Sequence, residues 1–82
     1  MMGTIDDKPG AYYVSASNGK QTEMLFGPFM NNHAAALEAV ERVRKVACDI
    51  DPRAHWYSFG TARKYGANTY PLGTLNNLDS LK

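Results

Sequence analysis

A Gly-Pro dipeptide separates a strand-rich first part of this chain from a helical second part. Pro28 has no backbone N–H to donate to a neighbouring strand, and it restricts the conformation of Gly27 before it. Asn31 and Asn32 follow closely, and an asparagine side chain can accept hydrogen bonds from the first N–H groups of a helix. The sequence therefore predicts that a strand ends at the Gly-Pro step and that a helix begins just after the asparagines.

The first part has the pattern of a β-hairpin. Two runs of residues, 11–16 and 21–26, contain the aromatic and β-branched types that favour strands. Between them lies Asn18-Gly19, and both residue types tolerate the positive φ that tight hairpin turns need. We therefore predict that the two runs pair as antiparallel strands.

The hairpin has two plausible registers. A two-residue loop would pair Val14 with Glu23, whereas a three-residue loop with a bulge at Gly19 pairs Val14 with Thr22. We prefer the bulged register because it separates apolar from polar side chains better. It gathers the apolar side chains on one face: Tyr12, Val14, Ala16, Met24 and Phe26.

The second part begins with an amphipathic helix, predicted from about residue 33 to residue 49. The opposite face is charged, and Glu38 with Arg42 and Glu41 with Lys45 form favourable pairs at the i, i+4 spacing. Apolar residues recur at three- and four-residue steps, which is the spacing of one helical face: Ala36, Val40, Val43, Ala47 and Ile50, with Leu37 widening the stripe.

A third strand is predicted after the helix, over residues 54–62, which are rich in aromatic side chains. Pro52 ends the helix because a proline moves the residue before it out of the helical conformation. Tyr57 and Phe59 share one face of this strand and make the better core pair. Trp56 then points to the other face.

These elements predict a β-β-α-β chain of the α+β class, with a three-stranded, mainly antiparallel sheet and one amphipathic helix packed on one face. Residues 11–64 are predicted to form the single domain. Residues 1–10 are polar, end in a Pro-Gly turn signal and are predicted to be disordered. Residues 65–82 lose the pattern and are predicted to be a flexible tail or a peripheral strand.

A sheet with a helix on only one face leaves its back uncovered. The uncovered face is predicted to carry Tyr13, Leu25 and Trp56. Together these side chains form a large apolar area for a surface exposed to solvent. A protein that covers the back is therefore the expected partner, and a second copy of the chain, giving a homodimer, is one candidate.

Binding of single-stranded nucleic acid is the alternative function. Three aromatic side chains could stack bases on an open sheet: Tyr13, Trp56 and Tyr57. Three cations flank the aromatic strand: Arg53, Arg63 and Lys64. The net charge of +1 and the absence of an RNP-type motif make protein contact the preferred interpretation. The predicted interaction surface comprises six residues: Tyr13, Leu25, Trp56, Arg53, Arg63 and Lys64.

No residue pattern predicts catalysis, a cofactor or a small-molecule ligand. Cys48 lies on the helix beside apolar residues, where a buried structural thiol is expected. His33 and His55 lack the spacing of metal-ligand pairs, so no metal site is expected.

No signal-peptide pattern is present, and no apolar run approaches the roughly 20 residues of a membrane span. We therefore expect a cytoplasmic, non-enzymatic protein without a membrane partner.

Several segments occur in the order seen in a known group of proteins: residues 12–14 (YYV), 25–29 (LFGPF), 33–37 (HAAAL) and 51–62 (DPRAHWYSFGTA). Over residues 11–63 the chain resembles small uncharacterised proteins of proteobacterial phages and prophages. The resemblance implies a phage or prophage origin and no particular activity. The Gly-Pro-Phe step with its Ala/Leu-rich helix also resembles the last part of a SPOR peptidoglycan-binding domain, without that family's β-α-β-β-α-β order or an export signal.

Overall fold

The structure is a computed structural model that describes residues 8–66 and 69–78. Within these residues it contains one α-helix, α1 (His33–Ile50), and three strands, β1 (Ala11–Ser17), β2 (Thr22–Met30) and β3 (Ser58–Lys64). A 3₁₀ turn, Pro52–Trp56, joins α1 to β3. The strands form one antiparallel sheet in the order β2-β1-β3, and α1 packs on one face of it. The predicted α+β fold class is confirmed.

The central strand β1 is buried along almost its whole length. Every residue from Ala11 to Ala16 is at most 8% exposed. Because side chains alternate along a strand, β1 contributes to both faces of the sheet. Val14 packs in the core under α1, and Tyr13 points to the opposite face.

The predicted helix is confirmed to within one residue at its end, and Asn32 is its cap. The Oδ1 atom of Asn32 accepts a hydrogen bond from the N–H of Ala35 at 3.1 Å. The predicted apolar stripe is wrong at its last position, because Ile50 is exposed at the end of the helix. The residues buried between sheet and helix include Ala39, which the prediction omitted, and comprise Val14, Ala16, Leu25, Ala39, Val43, Ala47 and Ala54.

The charged face of α1 pairs differently from the prediction. Glu41 forms its ion pair with Arg44, at 3.1 Å between Oε2 and Nη2, instead of with Lys45. Arg42, predicted to pair with Glu38, lies with its guanidinium 5.7 Å from the centre of the Phe26 ring. Exposed ion pairs contribute little to stability, so a nearby aromatic ring can compete with them for an arginine.

Both predicted hairpin registers are wrong. Ser17 pairs with Thr22, so the loop runs from Asn18 to Gln21. The Oδ1 atom of Asn18 accepts from the N–H groups of Lys20 and Gln21, each at 3.0 Å. These side-chain contacts stabilise a turn that is wider than either predicted loop.

The prediction that β2 ends at the Gly-Pro step is also wrong, because the strand continues to Met30. Pairing with β1 resumes at Phe29, so Gly27 and Pro28 lie in a bulge opposite Tyr13. A proline is tolerated at a bulge in an edge strand because it need not donate to the ladder there.

The third strand begins later than predicted. The residues after α1 form the 3₁₀ turn, and the side chain of Asp51 caps it by accepting from the N–H of Arg53 at 3.0 Å. Trp56 therefore lies in the turn and not in the strand. Tyr57 and Phe59 pack against the core as predicted.

The predicted disordered ends contain described residues with defined contacts. Gly10 is buried, its N–H donates to Oδ1 of Asn31 at 2.9 Å, and its carbonyl accepts from the N–H of Asn31 at 2.7 Å. Residues 73–76 hydrogen-bond to β2. Residues 1–7, 67–68 and 79–82, which belong to the segments predicted to be disordered or flexible, lie outside the described residues.

Replacement of Gly27 tests the bulge. Its φ is +139°, and a Cβ atom there would lie 2.8 Å from the carbonyl oxygen of Tyr12 and 2.9 Å from Cδ2 of Tyr13. We expect Gly27→Ala to lower the free energy of unfolding by about 2–3 kcal/mol, because both the backbone conformation and the available space exclude a methyl group. Urea titration measures this change.

The matched control is Gly60→Ala. No heavy atom lies within 4 Å of the Cβ position at Gly60. Its free energy of unfolding should therefore change by no more than about 0.5 kcal/mol. Equal losses in the two variants would contradict the described bulge.

Candidate interaction surface

The structure separates the six residues of the predicted interaction surface. Tyr13 and Leu25 are 0% and 6% exposed, so the prediction that they lie on an uncovered back of the sheet is wrong. The other four flank one strand, β3: Trp56 and Arg53 lie in the turn before it, and Arg63 and Lys64 lie at its end.

A second bulge in β2 explains the burial of Leu25. Met24 pairs with Ser15, and Phe26 pairs with Val14, so Leu25 is an extra residue between them. The extra residue of a bulge departs from the regular alternation of faces. Leu25 consequently packs in the core between the sheet and α1.

Residues 69–78 explain the burial of Tyr13. The Tyr13 hydroxyl donates a hydrogen bond to the carbonyl of Pro71 at 2.5 Å. Burial of the phenol, with a smaller contribution from nearby Tyr70, raises the pKa of Tyr13 above its ordinary value of 10.0. At pH values below 10.0 the contribution of this shift to the stability of the fold is fully present. That contribution is lost as the pH rises through the raised pKa of Tyr13.

The same segment hydrogen-bonds to the outer edge of β2. Gly73 lies so close to the strand that a Cβ atom there would be 2.5 Å from the backbone nitrogen of Phe26. Three backbone N–H groups donate to carbonyls of β2: Gly73 to Gly27 at 3.1 Å, Thr74 to Met24 at 3.0 Å and Leu75 to Leu25 at 2.8 Å. The chain itself therefore closes part of this edge.

Asn76 fixes the segment to the bulge of β2. Its Oδ1 atom accepts from the N–H of Gly27 at 3.0 Å, and its Nδ2 group donates to the carbonyl of Gly27. The bulge leaves the N–H and C=O groups of Gly27 without a partner in the sheet. The side-chain amide of Asn76 binds both of them. Leu75 packs against the core at the same place.

Removal of the Asn76 amide should weaken this contact. In Asn76→Ala the part-buried N–H of Gly27 loses its partner, so we expect the free energy of unfolding to fall by about 1–3 kcal/mol in urea titrations. Asn77→Ala is the control, since Asn77 is exposed, and it should change stability little. Indistinguishable losses in the two variants would contradict the role of Asn76.

The outer edge of β3 differs from that of β2. β1 pairs with β3 along the whole strand, from Ser58 to Lys64. Within residues 8–66 and 69–78, no strand pairs with the other edge of β3. An unpaired edge offers N–H and C=O groups that a strand of another chain can bind. We call this edge, with Trp56 before it and Tyr65 after it, the β3 surface.

A side-chain contact holds β3 against the helix. The Nε2 atom of His33, at the start of α1, lies 2.9 Å from Oγ1 of Thr61 in the middle of β3. The ring of His33 also stacks on Tyr12, with 4.9 Å between the ring centres. β3 is therefore held in place by hydrogen bonds to β1 and by the contact with α1. Its outer edge belongs to a strand whose position is fixed.

The arginines near the β3 surface are already engaged within the chain. Arg63 donates from Nη1 to the carbonyl of Pro9 at 2.7 Å and lies 4.4 Å over the ring of Tyr65. Arg53 donates from Nε to Oδ1 of Asp51 at 3.1 Å. The hydrogen bonds from Arg53 lower the pKa of the Asp51 carboxyl below 3.8. These contacts leave less of either guanidinium available for a phosphate group.

An open groove of about 290 Å³ lies where the hairpin, the end of α1 and residues 74–75 meet. Its lining combines apolar side chains such as Leu25 and Phe59 with the carboxylates of Glu23 and Asp51. Among the described residues, no group of three or more His, Cys, Asp or Glu side chains could hold a metal ion. Cys48 is half-buried on α1.

Comparison of the chain with protein-family models, with curated proteins and with solved structures finds no match. In the described part of the chain, no helix is long and apolar enough to cross a membrane. The resemblance to phage and prophage proteins stays a prediction, and the case for a function rests on the geometry of the β3 surface.

The sequence prediction missed two features of this surface. Tyr65, which is 70% exposed, was assigned to the tail, and the strand order that leaves β3 at the edge was not predicted. The apolar residue Leu75, which packs against the core, was a weak signal that the tail contacts the domain. No comparable local signal indicates strand order, because it depends on residues far apart in the chain.

Proposed function

We propose that this chain is a small non-enzymatic protein-interaction module of phage or prophage origin that binds another protein through the β3 surface. The observation that most supports this proposal is the difference between the two edges of the sheet. Residues 73–75 hydrogen-bond to the outer edge of β2, whereas no described residue pairs with the outer edge of β3. The resemblance over residues 11–63 is what supports the proposed origin.

Strand addition is the binding mode that this geometry favours. In such complexes, main-chain hydrogen bonds supply affinity, and alternate side chains supply specificity. β3 is regular over its seven residues, and all seven pair in register with β1. A partner strand would therefore meet an ordered row of donors and acceptors.

Two exposed aromatic residues support a protein partner. Trp56 is 88% exposed in the turn before β3, and Tyr65 is 70% exposed just after the end of the strand. Tryptophan and tyrosine are enriched among the residues that contribute most to protein–protein affinity. Their position at both ends of one open edge fits a partner that lies along β3.

Nucleic-acid binding has less support from the same residues. It needs aromatic side chains on an open sheet face and cations that can reach phosphates. Tyr13 is fully buried, and Arg53 and Arg63 hydrogen-bond within the chain. Protein contact is therefore the function that the geometry supports better.

Site-specific photocrosslinking in cells that produce the full chain tests the proposal. A photoreactive amino acid replaces Ser58 on β3 in one variant and Thr22 on β2 in the other. Both positions are exposed, and both pair with Ser17 from opposite sides of β1. We expect discrete protein adducts from Ser58 and far fewer from Thr22.

The crosslinked species distinguish the competing functions. Adducts of nucleic acid at Ser58 would support the alternative function in place of protein binding. The absence of adducts at Ser58, or equal adducts at both positions, would contradict binding through the β3 surface.

A further inference from the structure

We infer that the protein bound at the β3 surface is a second copy of this chain, whose β3 pairs antiparallel with the first and places Thr61 on a two-fold axis. This inference rests on the proposed function and specifies its partner. The result would be one six-stranded sheet in the order β2-β1-β3-β3-β1-β2. A residue-centred axis of this kind runs perpendicular to the sheet, so both helices would lie on the same face.

The register follows from the length and symmetry of β3. Thr61 is the middle residue of Ser58–Lys64, so only a register centred on it pairs all seven residues of each copy. The remaining cross-strand neighbours are then set in pairs: Ser58 with Lys64, Phe59 with Arg63, and Gly60 with Ala62. Each pair occurs twice because of the two-fold symmetry.

The charges of β3 are compatible with this register. The strand carries its two cations, Arg63 and Lys64, at one end only. Antiparallel pairing moves the cations of the two copies to opposite ends of the joint edge, where Arg63 is opposite Phe59 and Lys64 is opposite Ser58. No cation then lies opposite a like charge, an arrangement that would be unfavourable.

Shifted registers lack these advantages. A shift that centres the axis on Arg63 would place this guanidinium opposite its own copy and would leave part of each strand unpaired. In the Thr61-centred register, the next residues along the chain bring Tyr57 of one copy beside Tyr65 of the other. The exposed ring of Tyr65 would thereby gain an aromatic neighbour.

The face of β3 opposite the helix carries small residues from Ser58 to Ala62. Ser58, Gly60 and Ala62 alternate on this face, and no heavy atom lies within 4 Å of the Cβ position of Gly60. Natural edge strands are commonly protected by prolines, bulges or central charges. β2 has Pro28 and bulges, whereas β3 pairs regularly with β1 and has no proline between Ser58 and Lys64.

Sedimentation equilibrium of the purified full chain, from micromolar to millimolar concentration, tests the inference. We expect a reversible dimer whose dissociation constant rises about tenfold in Ser58→Lys, because two like-charged pairs with Lys64 form across the axis. Ser58→Glu should tighten the dimer through the opposite charge. The double variant Ser58→Lys/Lys64→Glu should restore the dissociation constant to within about threefold of the original.

Thr22→Lys is the control, since Thr22 is the other strand neighbour of Ser17 and lies on the β2 side of the sheet. It should change the dissociation constant less than about twofold. A chain that stays monomeric at millimolar concentration would overturn the inference, and so would a dimer that responds equally to Thr22→Lys and Ser58→Lys.

The two proposals fail in different ways. A monomeric chain that still crosslinks to a different protein at Ser58 would overturn self-pairing and leave the proposed function intact. A monomeric chain without crosslinks at Ser58 would overturn both.

Discussion

The burial of β1 is the constraint on which the rest of the structure depends. Six consecutive residues, Ala11 to Ala16, are nearly inaccessible to solvent. Burying a side chain such as Val14 contributes about 1.5–3 kcal/mol, but a strand buried on both faces needs a cover on each side. The helix covers one face. Pro71 contacts Tyr13 on the other face, so the segment 69–78 belongs to the folded domain.

The hydrogen bonds of the segment 69–78 follow from this burial. A buried phenol needs a hydrogen-bond partner, and the carbonyl of Pro71 accepts from the hydroxyl of Tyr13. The bulge at Gly27 leaves polar backbone groups unpaired, and Asn76 satisfies them. Within the described residues, every buried side-chain nitrogen and oxygen has a partner. Part of the edge of β2 is therefore closed as a consequence of covering β1.

Local patterns predicted the helix, a cap at Asn31 or Asn32 and the existence of three strands, because spacing and capping involve neighbouring residues. They did not predict the pairing of those strands. Asn18 stabilises a wider loop than Asn-Gly alone indicates, and two bulges in β2 bury Leu25 and accommodate Pro28. The partners of Tyr13 lie far along the chain. The burial of Tyr13 and the open edge of β3 both depend on residues far apart in the chain. Neither could therefore be inferred from periodicity.

The two sheet edges differ in a way that amide hydrogen exchange of the full chain can measure directly, by NMR over a concentration series. The amides of Gly73, Thr74 and Leu75 donate to β2 and should be protected at every concentration. The amides on the outer edge of β3 should exchange rapidly in dilute solution and become protected as the concentration rises. Amides of β3 that remain unprotected at millimolar concentration, or unprotected amides from Gly73 to Leu75, would contradict one closed edge and one pairing edge.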